Sequence, residues 1–206
     1  MPSATSNERP ARARSRISAR LAGKKARRHI CDTIVLDTMV SRLSPRYDIP
    51  NAAPAPLRLV QEFVNSIDLE HGREWLQEPH DLKRWLVKRK MLDPSASVRA
   101  ADLRQAHALR ESLRELLRSN NGAGSPEAAQ AHLNRLARRS KLVPQLDRQG
   151  ATVLVPFAEG AVSALGRLLA VAFQAMSDGT WVRLKACRQC RWAFYDYSRN
   201  RAASWC

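Results

Sequence analysis

Acidic residues are scarce in this sequence. Nineteen Asp and Glu stand against 35 Lys and Arg, a formal net charge of +16. The deficit is uneven: residues 1–50 hold eleven basic and four acidic side chains, and residues 183–206 hold six and one. The middle of the chain is closer to an ordinary globular balance. Basic ends suggest a polyanionic partner, most often nucleic acid. An Arg-rich soluble protein without such a partner is the plainer alternative.

Other absences narrow the chemistry. There is no hydrolytic triad, no phosphate-binding glycine loop and no dinucleotide fingerprint. The five histidines (His29, His71, His80, His107, His132) form no H-x3-H pair. His107 and His132 are expected on solvated helix surface, and Glu70, His71 and Glu74 on a polar helix exit. No enzyme is expected. No apolar run spans a bilayer: residues 30–40 are interrupted by Asp32 and Asp37, and residues 161–173 contain Ser163 and Arg167. With only four cysteines and no secretory signal, the pattern favours metal use over disulfides. A soluble cytoplasmic protein follows.

What is present sorts into three stretches. Residues 1–53 are expected to be a basic, disordered extension and linker, with Cys31 a lone thiol. A nucleic-acid-binding arm, a targeting peptide and a spurious upstream start are the alternatives. Prolines 45, 50, 54 and 56 punctuate the linker. Periodicity then predicts helices: Leu57, Val60, Phe63/Val64 and Ile67; Leu82, Trp85 and Leu86 from Pro79; and residues 99–118, stopped by Asn120-Asn121-Gly122. A fourth follows Ser125-Pro126-Glu127, which carries an N-cap signature, and a fifth covers about 160–177. Between the last two, residues 142–156 predict a hairpin around Arg148-Gln149-Gly150, with Pro144 placing its first strand at an edge.

The tail is the chemically informative part. Cys187 and Cys190 form a C-x2-C knuckle, and Cys206 follows after fifteen residues, a zinc-pattern spacing. A closed structural zinc site wants four ligands, and this sequence provides the third at its last residue. Trp192, Phe194, Tyr195, Tyr197 and Trp205 are expected to pack around the metal, with base stacking as the rival. Arg188, Arg191, Arg199 and Arg201 cannot all lie inside so small a module, so several should face phosphate or guanine. Asn200 either contacts adenine or, like Ser198, caps a helix expected to begin near Ser198. Upstream, Asn65 behind an apolar helix face is costly unless its amide is satisfied. It either pins the next turn or lines a small-molecule pocket, for which Trp85 and Arg110 are further candidates. Arg110 and Glu111 otherwise make a surface ion pair.

At these residues the sequence resembles a known family. F-Y-D-Y-S-R-N-R-A-A-S-W-C behind a C-x2-C knuckle is similar to the CGNR zinc finger, which closes bacterial stress-induced transcription regulators carrying an N-terminal helical ABATE domain. P-A-P-L-R-L-V-Q-E-F-V-N-S (54–66), D-L-K-R-W-L (81–86) and D-L-R-Q-A-H-A-L-R-E-S-L-R (102–114) match the ABATE pattern in order, with Ser66 where Thr is usual. The resemblance implies that Cys187, Cys190 and Cys206 are three of four zinc ligands. It also implies that the fourth cysteine and the Gly-Asn-Arg run would follow Cys206, so a C-terminal truncation is expected, and an unfinished site binds zinc less tightly.

The expectation is therefore a mainly α protein with a small β-hairpin, divided into a helical domain over 54–180 and a zinc-finger module over 181–206. Its implied function is that of a DNA-binding transcription regulator with structural Zn2+, a possible small-molecule effector, no membrane association and a possible homodimer. The alternative is a zinc-stabilised adaptor that binds a protein or small ligand. A zinc enzyme using the open coordination position is the least favoured, since Asp196 is the only acid near the cysteines.

Overall fold

A computed structural model describes residues 51–206. The basic extension up to residue 50, with Cys31, lies outside the described residues. Five helices and three short antiparallel strand pairs make up the fold, in the order α1 (Arg58–Val64), β1 (Ile67–Asp68), β2 (Arg73–Glu74), α2 (Pro79–Lys88), α3 (Ala100–Ser119), α4 (Glu127–Arg139), β3 (Leu142–Leu146), β4 (Thr152–Pro156), α5 (Gly160–Ser177), a 3-10 turn (Trp181–Arg183), β5 (Leu184–Ala186) and β6 (Ala193–Tyr195). The expected class, mainly α with small strand pairs, is what the chain adopts.

Two of the helices, α2 and α3, start where the sequence supplies an acceptor for an orphan backbone donor. Asp81 reaches back to the N–H of Glu78 at 3.0 Å, and Asp102 to the N–H of Arg99 at 2.8 Å. The signature at Ser125 is not used: α4 begins at Glu127 without any side-chain cap. α3 is central, and its apolar face (Ala106, Leu109, Leu113, Leu117) is fully buried. α1 presents Val60, Phe63 and Val64 to it, while α5 contributes Ala164, Leu165, Leu168, Leu169 and Ala172 to the same core. By length and hydropathy α5 passes the test for a membrane span, yet its apolar side is this packed interior. Gly166 lets α5 approach the end of α4, since a Cβ there would lie 2.6 Å from that of Ser140. β3 and β4 form the expected hairpin, Leu142 facing Pro156 and Leu146 facing Thr152.

β5 and β6 occupy a different setting. Leu184 pairs with Tyr195, Lys185 with Phe194 and Ala186 with Ala193, and all six residues are buried. Leu184, Ala186, Ala193 and Tyr195 belong to the same hydrophobic core as the helices. The described residues fall within one compact unit. The core shared with the helices gives this ribbon apolar support of its own, beyond anything a metal ion adds.

Candidate metal centre and its basic surface

A two-stranded ribbon leaves outward N–H and C=O groups on both edges, and inside a protein these need partners. Here amide side chains of the helical part supply them. On β6, the amide Nδ2 of Asn65 donates to the Ala193 carbonyl (3.0 Å), and the Ala193 N–H donates to its Oδ1 (2.7 Å). Gln61 donates to the same carbonyl, and the Tyr195 N–H donates to Asn51 O. On β5, Asn120 donates to the carbonyls of Trp181 and Leu184, and Asn121 to those of Ala186 and Ser204, each at 2.9 Å. Arg114, 2 % exposed, donates to Val64 O and Arg191 O and pairs with Glu111.

Beyond the ribbon the chain turns back through a second buried anchor. The Lys185 ammonium donates to Asp196 Oδ2 (2.8 Å) and to the carbonyls of Arg201 and Ala203. Asp196 also accepts the N–H groups of Ser198 and Ala203. Burial opposes ionisation of Asp196, but the hydrogen bonds from Lys185 and Ser198 outweigh it and hold its pKa at about 2. These contacts wrap residues 196–206 into turns, not the helix expected from Ser198. The Ser198 hydroxyl closes a turn by accepting the Ala202 N–H, and Arg201 adopts a left-handed φ of 55°. A chain held at three points by one ammonium has no room for a helical ladder.

The wrapped tail returns Cys206 to the knuckle. The three Sγ atoms of Cys187, Cys190 and Cys206 lie within 4.8 Å of one another, with Cys190 and Cys206 at 3.5 Å. A tetrahedral ion with bonds of ~2.3 Å to sulfur needs sulfurs about 3.8 Å apart, so the trio fits a metal ion. Hydrogen bonds from the Cys190 and Cys206 thiols pull the Cys187 thiol well below its ordinary range. The hydrogen bond with Cys187 pushes Cys190 up to about 11, and Cys206 is raised also. One sulfur is thus readily charged, and a cation would displace the two protons that remain. A second trio, Asp68, Glu70 and His71, also meets the distance criterion. The oxygens of Asp68 are already engaged by the N–H groups of Glu70 and His71 and by His71 Nδ1.

Around the sulfurs the arginines separate into two kinds. Arg199, Asn200 and Arg201 are exposed on the tail turn. Arg188 is exposed but fixed, its Nε and Nη2 donating to Asn121 O at 3.1 and 2.9 Å. Arg191 is half-buried with a φ of 64°. Of the aromatic residues, Trp192, Phe194 and Tyr195 are buried, whereas Tyr197 and Trp205 are 61 % and 58 % exposed.

The candidate pocket residues have structural partners. Asn65 pins β6, not the next turn. Arg110 is 3 % exposed, not on the surface, and makes a bidentate pair with Glu74 at 2.7 and 2.6 Å. It also donates to Ser66 Oγ. Trp85 packs on Phe63 with the Arg89 guanidinium over its ring. His107 and His132 are half-buried staples, bonded to Leu76 O and to Ser112. Sequence reasoning missed Gln61, Arg114, Asn120, Asn121 and Lys185 as the residues that set the site. The available signal was the cost of two consecutive asparagines just past a helix end.

No curated protein matches this chain. The family model for ABATE, described as "Putative stress-induced transcription regulator", matches residues 57–179 and stops short of the cysteines. That match covers more than half of the chain's 206 residues, and the protein belongs to the ABATE family.

Proposed function

We propose that this protein is a cytoplasmic, DNA-binding transcription regulator whose Cys187, Cys190 and Cys206 hold a structural zinc ion. The observation that carries the reading is the gathering of three sulfurs at the end of a buried ribbon, beside the exposed Arg188, Arg199 and Arg201. All-sulfur donor sets suit zinc, and sites with only thiolate ligands are structural more often than catalytic. Bound zinc would crosslink the knuckle to the tail, supplying rigidity and no reaction; the protein is not an enzyme. The residues of the chain do the rest. Lys185 and Asp196 set the path of residues 196–206, and that path displays Arg199, Asn200 and Arg201 to the duplex. Asn65, Asn120 and Asn121 hold this reader on the helical part, where a small-molecule effector or a second copy would act.

The test is duplex binding by the zinc-loaded protein, measured by fluorescence anisotropy between 50 and 200 mM salt. Several phosphate contacts predict a loss of about a hundredfold or more over that range, and Arg199→Ala with Arg201→Ala should weaken binding at every salt. Flat salt dependence, or full affinity in the double variant, would overturn the DNA reading. Unchanged DNA affinity alongside lost protein capture in the same variant would favour an adaptor.

A further inference from the structure

The C-terminal turn of α3 meets the cysteine knuckle across a cleft of about 180 Å3, lined by Arg118, Asn121, Gly122, Cys187, Arg188 and Arg191 among others. Three arginines line it, and no acidic residue does. At ~30 Å3 per water, the volume suits a tetrahedral oxyanion with part of its hydration shell.

Two of the three guanidiniums are held in place. Arg118 is fixed by a bidentate bond to Glu115, with both distances 2.9 Å. Arg188 rests on the Asn121 carbonyl, leaving its Nη1 without a partner among the described residues. Gly122, at φ 86°, packs against that position: a Cβ there would lie 3.0 Å from Arg188 Nη2. The Arg191 side chain makes no hydrogen bond or ion pair among the described residues, although it lines the cleft. Its backbone is also the unusual one: at φ 64° a side chain is disfavoured and glycine is free of strain. Lys90, Lys141 and Arg201 share such a φ, and Arg191 is the one of the four that lines this cleft. Surface arginines ordinarily have rotamer freedom to lose on binding, and immobilised ones have less of it.

We infer that this cleft is a phosphate seat, built jointly by α3 and the knuckle, with Arg118, Arg188 and Arg191 as its donors. Arg forks match phosphate oxygens, and the seat needs no base. Resting on the DNA reading above, it holds one backbone phosphate and brings the end of α3 against the duplex. Without that reading, the same chemistry takes the phosphate of a free small molecule.

The experiment uses the full zinc-loaded chain, with inorganic pyrophosphate and a random-sequence duplex as probes. Arginine Nε–H resonances follow pyrophosphate binding, and anisotropy follows the duplex as a function of salt. Arg191→Gly relieves the strained backbone, so its melting temperature should hold or rise while pyrophosphate affinity falls at least tenfold. Arg118→Gln should weaken pyrophosphate binding in the same direction. On the duplex, the log–log salt slope should become shallower by about 0.9 for the one phosphate lost. Saturable pyrophosphate binding with no duplex binding leaves the seat standing for a free phosphorylated ligand, and the DNA reading falls. Duplex binding with an unchanged slope in Arg191→Gly, and no saturable pyrophosphate response, overturns the seat and leaves the DNA reading intact. Equal competition by chloride or sulfate marks an adventitious ion only, and also overturns it.

Discussion

Two of the three ribbons among the described residues are of similar plainness and opposite dependence. β3–β4 is a local hairpin, closed by Asp147 and Gly150, with Leu146 74 % exposed. β5–β6 is a buried ribbon with amide side chains from residues 61, 65, 120 and 121 bonded along both edges. The first is specified by its own turn and the second by residues far away in the chain. A metal site placed on a local hairpin would depend on the ion for its position. On β5–β6 the helical core already provides the position, and the ion has only to join the sulfurs.

Removing the second ribbon's buried charge pair should have the largest effect. Lys185→Met leaves Asp196 buried and unpaired, at a cost of about 4 kcal/mol in urea denaturation at pH 7. Asp196 titrates at about 2 in the fold, below its ordinary 3.8. A depressed carboxylate contributes stability above the unfolded pKa and loses it as pH falls through the folded one. With chelator present, the gap between wild type and variant should therefore narrow between about pH 4 and pH 2. A gap independent of pH would mean that Lys185 acts by packing alone.

Next in size, Asn65→Ala orphans the buried N–H of Ala193 and leaves its carbonyl to Gln61 alone, at a cost of about 2 kcal/mol. It should also weaken metal binding, measured by chelator competition, although Asn65 lies far from the sulfurs in sequence. The first ribbon should respond least. Gly150→Ala, at φ 80°, should cost about 1 kcal/mol, and Leu146→Ser less than about 0.5 kcal/mol. Neither should alter metal affinity. If either did, the contrast between the ribbons would be wrong.

The same contrast explains what was legible in the sequence. The helices and the β3–β4 hairpin follow from periods of 3.6 and 2 and from turn chemistry, all local signals, although α1 stops at Val64 and Ile67, expected on its face, pairs with Glu74 in β1–β2. The cysteine trio was legible from its spacing. The helix expected at Ser198 was not formed, because Lys185, thirteen residues earlier, captures the carbonyls of Arg201 and Ala203. Asn120 and Asn121 look like a helix stop and are one, but their second role depends on where residues 181–204 lie. Arg110 does pair with Glu111 as expected, but not on the surface, since nothing nearby in sequence identifies Glu74 as the second partner that goes inside with it.

The span between Asn65 and Ala193, 128 residues, also sets an order of assembly. Contacts of such separation form after the helices have closed the intervening loop, because closure entropy precedes their reward. The ribbon therefore docks late, once the core has condensed, although its thiols, Cys187 to Cys206, are close in sequence. The seating of the cysteine knuckle on the helices, not the gathering of its sulfurs, marks the end of folding.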